Sequence, residues 1–191
     1  MTCHPWSPYV VFESTIPKAI CNAIIEAHDH LEYTKGEVTI GGKSILAEVS
    51  DRKVDLQGSE LEWLNAMLIG YVRKANHMNF NYDLTEQDKE RMQFSKYEEG
   101  MYFNTHMDFD VHRHQPAFTR KLSVTLQLSD PSTYRGGNLI LYNCEQDKFQ
   151  CPRHQGTLIV FDSRWLHEVT PVKKGKRYSM VKWVHGNEPL K

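Results

Sequence analysis

Leu122-Ser123-Val124-Thr125-Leu126-Gln127-Leu128 alternates apolar and polar residues without a break. A period of two belongs to a β-strand, whose successive side chains leave opposite faces. The pattern predicts a half-buried strand with Leu122, Val124, Leu126 and Leu128 on its inner face. Similar runs surround it. Met92-Gln93-Phe94-Ser95-Lys96-Tyr97 alternates, then breaks at Glu98-Glu99-Gly100. Gly136-Gly137 opens an apolar run over residues 138–142, Gly156 opens another over 157–161, and a last run covers 177–184. Short strands with turn signals about every 8–12 residues indicate a β-barrel or sandwich.

Upstream of residue 90 the texture is different. Ser14 or Thr15 is placed to cap a helix with Pro17 in its first turn and Ala19, Ile20, Ala23, Ile24 and Ala27 as its apolar stripe. A second helix opens near Ser59 and carries Leu61, Leu64, Leu68, Tyr71 and Val72. Between them, residues 35–57 read as a loop or weak hairpin that could act as a lid. The expected architecture is mainly β with flanking helices (α+β). Its core is a double-stranded β-helix, or jelly roll, with N-terminal helices packed on the major sheet. One domain spans 1–191, with a supporting part over 1–90 and a catalytic β core over 91–186.

Composition bounds the function. A chain of 191 residues buries roughly 70% of its unfolded surface, so its core needs no staples. Twenty-three basic residues face 24 acidic ones, which is not the footprint of a strong nucleic-acid or membrane-surface binder. No apolar stretch approaches the ~18 residues of a membrane span. The N-terminus lacks the basic-then-apolar order of a signal peptide. Cysteines stand at 3, 21, 144 and 151, with no C-x-x-C spacing. Cys144 and Cys151 could face each other across a hairpin, but reduced thiols are the expectation.

The chemistry gathers around His106-Met107-Asp108. On an extended segment, residues i and i+2 share a face, so this imidazole and carboxylate can converge on one ion. His167 lies sixty-one residues further on, within reach if a barrel closes. Two histidines and one carboxylate form the facial triad that holds non-haem Fe(II) and leaves positions open. The chain has ten histidines, and His112-Arg113-His114 repeats the i, i+2 spacing. That pair has no partner carboxylate at matched spacing and reads as a loop. Arg177 follows His167 by ten residues and shares a strand face with Trp183. Two placements are open. Facing solvent, Arg177 is an ordinary surface residue. Facing the barrel interior, it needs an anionic partner that its own strand does not supply, and a ligand carboxylate would serve.

The ordered set Tyr97, His106-x-Asp108, Gly136-Gly137-Asn138-Leu139, His167 and Arg177 resembles the 2-oxoglutarate- and Fe(II)-dependent dioxygenases of the prolyl 4-hydroxylase type. The run from Arg120 through Gly137, and Leu166-His167-Glu168-Val169-Thr170-Pro171-Val172, look like bacterial and phage PKHD-type hydroxylases. The likeness covers roughly residues 92–186. It implies His106, Asp108 and His167 as Fe(II) ligands and Arg177 as partner of the distal 2-oxoglutarate carboxylate. It also implies Tyr97, Gln127 and Trp183 as co-substrate-pocket residues, 2-oxoglutarate as co-substrate, dioxygen as the oxidant and ascorbate as reductant. The implied reaction is hydroxylation of an unactivated C–H bond, with succinate and carbon dioxide as co-products. The implied substrate is a peptidyl prolyl or other amino-acid residue, in the cytoplasm of a bacterium or a phage-infected cell. Some relatives carry Tyr at Gln127, and Thr or Glu-Thr just after the double glycine, so the pocket's details differ here. The same chemistry on a nucleobase or small metabolite, and a jelly-roll binding protein without turnover, remain alternatives. The sequence leaves the oligomeric state open.

Overall fold

A computed structural model describes residues 7–35, 37–40, 43–46, 52–85, 90–109, 119–142 and 147–187. Strand β1 (Tyr9–Phe12) leads into helix α1 (Lys18–Asp29). Strands β2 (Thr34–Lys35), β3 (Glu37–Ile40), β4 (Lys43–Leu46), β5 (Arg52–Lys53) and β6 (Asp55–Ser59) precede helix α2 (Glu62–Ala75), which runs into a π-helical turn at Asn76–Phe80. The second half contributes β7 (Met92–Tyr97), β8 (Tyr102–His106), β9 (Thr119–Gln127), β10 (Arg135–Gly136) and β11 (Leu139–Tyr142). After these come β12 (Lys148–Gln150), β13 (Leu158–Asp162), β14 (His167–Val169), β15 (Val172–Lys174) and β16 (Arg177–Gly186).

Two sheets face each other as a double-stranded β-helix. The major sheet runs β1-β13-β9-β16-β7-β6-β2, and the minor sheet runs β12-β11-β14-β8-β5. The N-terminal half is therefore not purely helical. β1 extends the major sheet at one edge, while β6 and β2 extend it at the other. The segment expected as a loop or weak hairpin contains the β3–β4 hairpin, with Glu37 opposite Leu46.

Helix α1 starts differently from the expectation. Pro17 is its N-cap and no side chain caps it. Ser14 instead takes a left-handed backbone (φ 49°), and its N–H donates to Thr157 Oγ1 at 3.0 Å. The first turn closes on the Pro17 carbonyl, which accepts from the N–H groups of Ile20 and Cys21.

Two apolar clusters flank the major sheet. Cys21 and Ile24 of α1 and Leu64, Leu68 and Val72 of α2 pack on Phe94, Leu122, Val124, Leu126, Leu158 and Met180. Between the two sheets lie Tyr97, Leu139, Leu141, Cys151, Ile159, Phe161, Val169 and Val172. The alternating run 122–128 is consequently not half-buried. Its apolar face meets the helices, and its polar face, Ser123, Thr125 and Gln127, is at most 5% exposed. A central strand between β13 and β16, covered on both sides, has no solvent face. Its polar residues line the barrel interior, where each needs a hydrogen-bond partner. Cys151 is a buried free thiol, and Cys144 lies outside the described residues, as do His112 and His114.

Candidate metal centre and anion pocket

The last residue of β8 and the first of β14 are the two histidines, and they pair directly: His167 lies opposite His106. Asp108 follows two residues after His106. One donor atom from each of His106, Asp108 and His167 lies within 4.8 Å of the others. His106 Nε2 is 3.7 Å from Asp108 Oδ1, and His167 Nε2 is 3.5 Å from Asp108 Oδ2. These distances suit donors arranged around an ion.

The imidazoles are held by identical devices. His106 Nδ1 lies 2.7 Å from the Asn104 carbonyl, and His167 Nδ1 lies 2.9 Å from the Trp165 carbonyl. Each carbonyl is two residues upstream of its ring. A neutral imidazole that donates through Nδ1 presents its Nε2 lone pair to a metal. Phe103 stacks on His106 at 3.4 Å between centroids, and Phe161 meets His167 edge-on at 4.8 Å. Both rings are thus fixed in plane and tautomer.

Asp108 is buried, which by itself would favour its neutral form. His167, His106, Arg120 and the Ser123 hydroxyl outweigh that desolvation and hold its carboxyl below the usual carboxylate range. Ser123 Oγ donates to Asp108 Oδ2 at 2.7 Å, and Ser163 Oγ lies 2.9 Å behind Ser123. One carboxylate oxygen is therefore engaged by protein, leaving the other for an ion. Two oriented Nε2 atoms and one ionised carboxylate fit a divalent cation held on one face of its coordination sphere.

Arg177 opens β16 and is 1% exposed, so the solvent-facing placement is excluded. Its Nη2 donates to Gln127 Oε1 at 3.0 Å and its Nη1 to Ser179 Oγ at 3.2 Å. The guanidinium carbon lies 5.2 Å from the Tyr97 ring centroid, which matches the cross-strand pairing of Arg177 with Tyr97. Among the described residues no carboxylate pairs with Arg177, and its Nε has no hydrogen-bond partner. The charge is buried and fenced by neutral groups, which is costly unless an anion arrives. Space beside it is kept by Gly137. A Cβ there would lie 3.0 Å from Arg177 Cδ and 3.0 Å from Val172 Cγ2. Burial pushes the nearby Cys151 thiol up to about 12 despite Arg177, so this sulfur stays neutral.

The structure thus brings together His106, Asp108 and His167 at one end of the interior, and Arg177, Gln127 and Tyr97 along the same polar face. Trp183 is on that face too, half-buried, opposite Ser123 in the β9–β16 register. Its indole N–H is buried and has no partner among the described residues. Sequence reasoning missed Ser123, Arg120 and Glu90. Ser123 had a legible signal, since it belongs to the polar face of the alternating strand.

Comparison with known proteins agrees with this geometry. The family model described as the 2OG-Fe(II) oxygenase superfamily matches residues 92–185. A PKHD-type hydroxylase of Synechococcus elongatus is 30% identical over 179 residues, covering 92% of this chain and 77% of the relative. One of Crocosphaera subtropica is 29% identical over 153 residues, covering 80% of this chain and 67% of the relative. Among solved structures, a Pseudomonas putida prolyl-4-hydroxylase superposes with TM-score 0.71 at 20% identity, covering 95% of this chain and 94% of that one. A Trichoplax adhaerens prolyl hydroxylase, in complex with a hypoxia inducible factor peptide fragment, gives TM-score 0.73 at 17% identity, covering 93% and 83%. With the fold, the converging His-Asp-His donors and these relatives in agreement, the chain belongs to the 2OG-Fe(II) oxygenase superfamily, among the PKHD-type hydroxylases, on a fold it shares with prolyl 4-hydroxylases.

Proposed function

We propose that this protein hydroxylates an unactivated C–H bond of a peptidyl prolyl or other amino-acid residue, with succinate and carbon dioxide as co-products. The observation that carries the reading is the pairing of two features in one interior: three converging metal donors, and a buried guanidinium with no acidic partner among the described residues. Fe(II) with 2-oxoglutarate and dioxygen supplies the oxidising chemistry when bound. The chain's own residues hold and aim these reactants. His106, Asp108 and His167 would hold the metal with three protein donors, a number that leaves room for reactants. Arg177 grips the distal carboxylate of 2-oxoglutarate, replacing two neutral contacts with a charge-assisted pair. Gln127 and Ser179 set the direction of that guanidinium. Tyr97 walls the pocket on one side, and the Trp183 N–H offers a donor to a bound oxygen.

A peptidyl substrate is supported by the near-zero net charge of −1, which gives a polyanion little to hold. It is also supported by the Trichoplax relative, whose structure is in complex with a peptide fragment. Cytoplasmic placement is supported by the free thiols Cys21 and Cys151.

The test is direct. The chain is supplied with Fe(II), 2-oxoglutarate, oxygen and ascorbate, and challenged with proline-containing peptides, free amino acids and single-stranded oligonucleotides. Succinate release with a one-oxygen mass gain on a peptide is expected, abolished in Asp108→Ala and Arg177→Ala. A gain confined to nucleobases would overturn the substrate. Failure of 2-oxoglutarate to bind the metal-loaded protein would overturn the co-substrate.

A further inference from the structure

We infer that Arg120 is a positioning residue for the metal site: a β-bulge at Lys121 delivers its guanidinium to the Asp108 side, where Glu90 and Trp183 lock it. The inference rests on the metal reading above and deepens it. Along β9 and β16, Val184 pairs with Leu122 but His185 pairs with Arg120, so Lys121 is an extra residue. In an unbroken strand Arg120 would share the face of Leu122, Val124 and Leu126, which meets the helices. The bulge moves it to the opposite face. Re-aiming a side chain beside a functional site is a common use of a bulge.

On that face each part of the guanidinium is used. Its plane lies over the Trp183 ring, 4.0 Å from the centroid. Nε and Nη2 donate to the two oxygens of Glu90 at 2.7 and 2.8 Å. Nη1 is left to donate to the backbone carbonyl of Asp108, at 3.3 Å. Glu90 is itself tied down. Lys182 Nζ donates to its backbone carbonyl, and His185 Nε2 lies 3.5 Å from Oε2. Lys182, Trp183 and His185 belong to one stretch of β16, so the clamp is anchored on the strand that also carries Arg177.

A cation stacked on one face and forked by a carboxylate cannot swing. An Nη1 N–H therefore fixes the backbone at Asp108 from one side. On the other side the Phe109 N–H donates to the Ser163 carbonyl at 2.9 Å. Ser123 sets the rotation of the carboxylate, while Arg120 sets where its backbone stands. Lysine cannot substitute, because an ammonium has neither the planar fork nor the stacking face.

The test titrates the full chain anaerobically with Fe(II) alone, reading the dissociation constant beside the melting temperature of the metal-free protein. Arg120→Ala is expected to weaken metal binding by about ten- to a hundredfold, the usual effect of losing an outer contact to a ligand. Arg120→Lys recovers little of it. Glu90→Gln, which keeps the shape but not the charge, shows a smaller loss in the same direction. A merely structural role would lower the melting temperature and leave the dissociation constant of the folded protein unchanged, and that result overturns the inference. Should Arg120→Ala fail to fold, Glu90→Gln decides by the same criterion. A wild-type chain that takes up no metal overturns the metal reading and this inference together. A wild-type chain that binds metal, with variants that bind equally well, overturns this inference alone.

Discussion

Arg177 carries an opposition that one substitution can separate. Its guanidinium is 1% exposed, touched by Gln127 and Ser179, and faced by no acid among the described residues. A buried charge without a counter-charge weakens the folded state, and an apolar side chain of similar volume removes that desolvation cost. Arg177→Met is therefore expected to raise the melting temperature of the ligand-free protein. It is also expected to abolish the further rise that 2-oxoglutarate gives the wild type in the presence of Mn(II). Thermal melts with and without the co-substrate read both effects. A variant that melts lower and still responds to 2-oxoglutarate would remove Arg177 from the pocket. Gly137 tests the space beside it. Its φ of +59° is unfavourable for any Cβ, and the added methyl would press on Arg177 Cδ and Val172. Gly137→Ala is expected to raise the KM for 2-oxoglutarate while metal affinity stays at the wild-type value, because the His-Asp-His donors come from other segments. Equal losses of both would mean that the change spreads through the fold.

Between elements, the end of α1 is tied to the major sheet by one acid. Asp29 accepts from the Tyr178 hydroxyl at 2.9 Å and from the Tyr33 hydroxyl at 3.3 Å, and Lys96 Nζ lies 3.4 Å away. Partial burial works against its charge, but Tyr178 and Lys96 outweigh burial and lower the carboxyl below its usual range. A depressed carboxyl stabilises the folded state above the unfolded value, roughly 3.9 for Asp, and that contribution is lost as pH falls through the folded value. Asp29 keeps 39% of its side chain exposed, so the gain is discounted to under ~1 kcal/mol. Asp29→Asn is expected to melt slightly lower than the wild type at neutral pH, with the gap closing in acid below pH ~4. Denaturant titrations at the two pH values measure it. A gap that widens in acid would contradict the sign. The same element shows why local reading fell short at its other end. Ser14 and Thr15 have the chemistry of a cap, but the chain must turn to meet Gly156, whose carbonyl accepts from Ile16 N–H at 3.0 Å. Tertiary pairing decided the entry to the helix.

Across the whole molecule, legibility follows how far each residue's partner lies along the chain. The candidate metal ligands His106, Asp108 and His167, and the candidate anion partner Arg177, were legible as an ordered set in the sequence, and barrel closure brings the three ligands together. Periodicity also separated the two faces of residues 122–128. It did not say which face meets water, because that depends on α1 and α2 covering one side and the minor sheet the other. The bulge at Lys121 was out of reach for a stronger reason, since it exists only in the register of β9 against β16. Arg120 therefore entered the sequence reading only as the first residue of the run that resembles PKHD-type hydroxylases. The fully covered β9 has a consequence for folding fidelity. A slip of one residue would drive four aliphatic side chains into the polar interior and press Ser123, Thr125 and Gln127 against the helices, so a mis-threaded molecule loses core and candidate site together. Selection for the chemistry and selection for correct threading then act on the same letters. Amide hydrogens of β9 are expected to be among the slowest to exchange with deuterated water, opening only with the whole barrel. Exchange at the rate of the β3–β4 hairpin would show that the strand can open by itself.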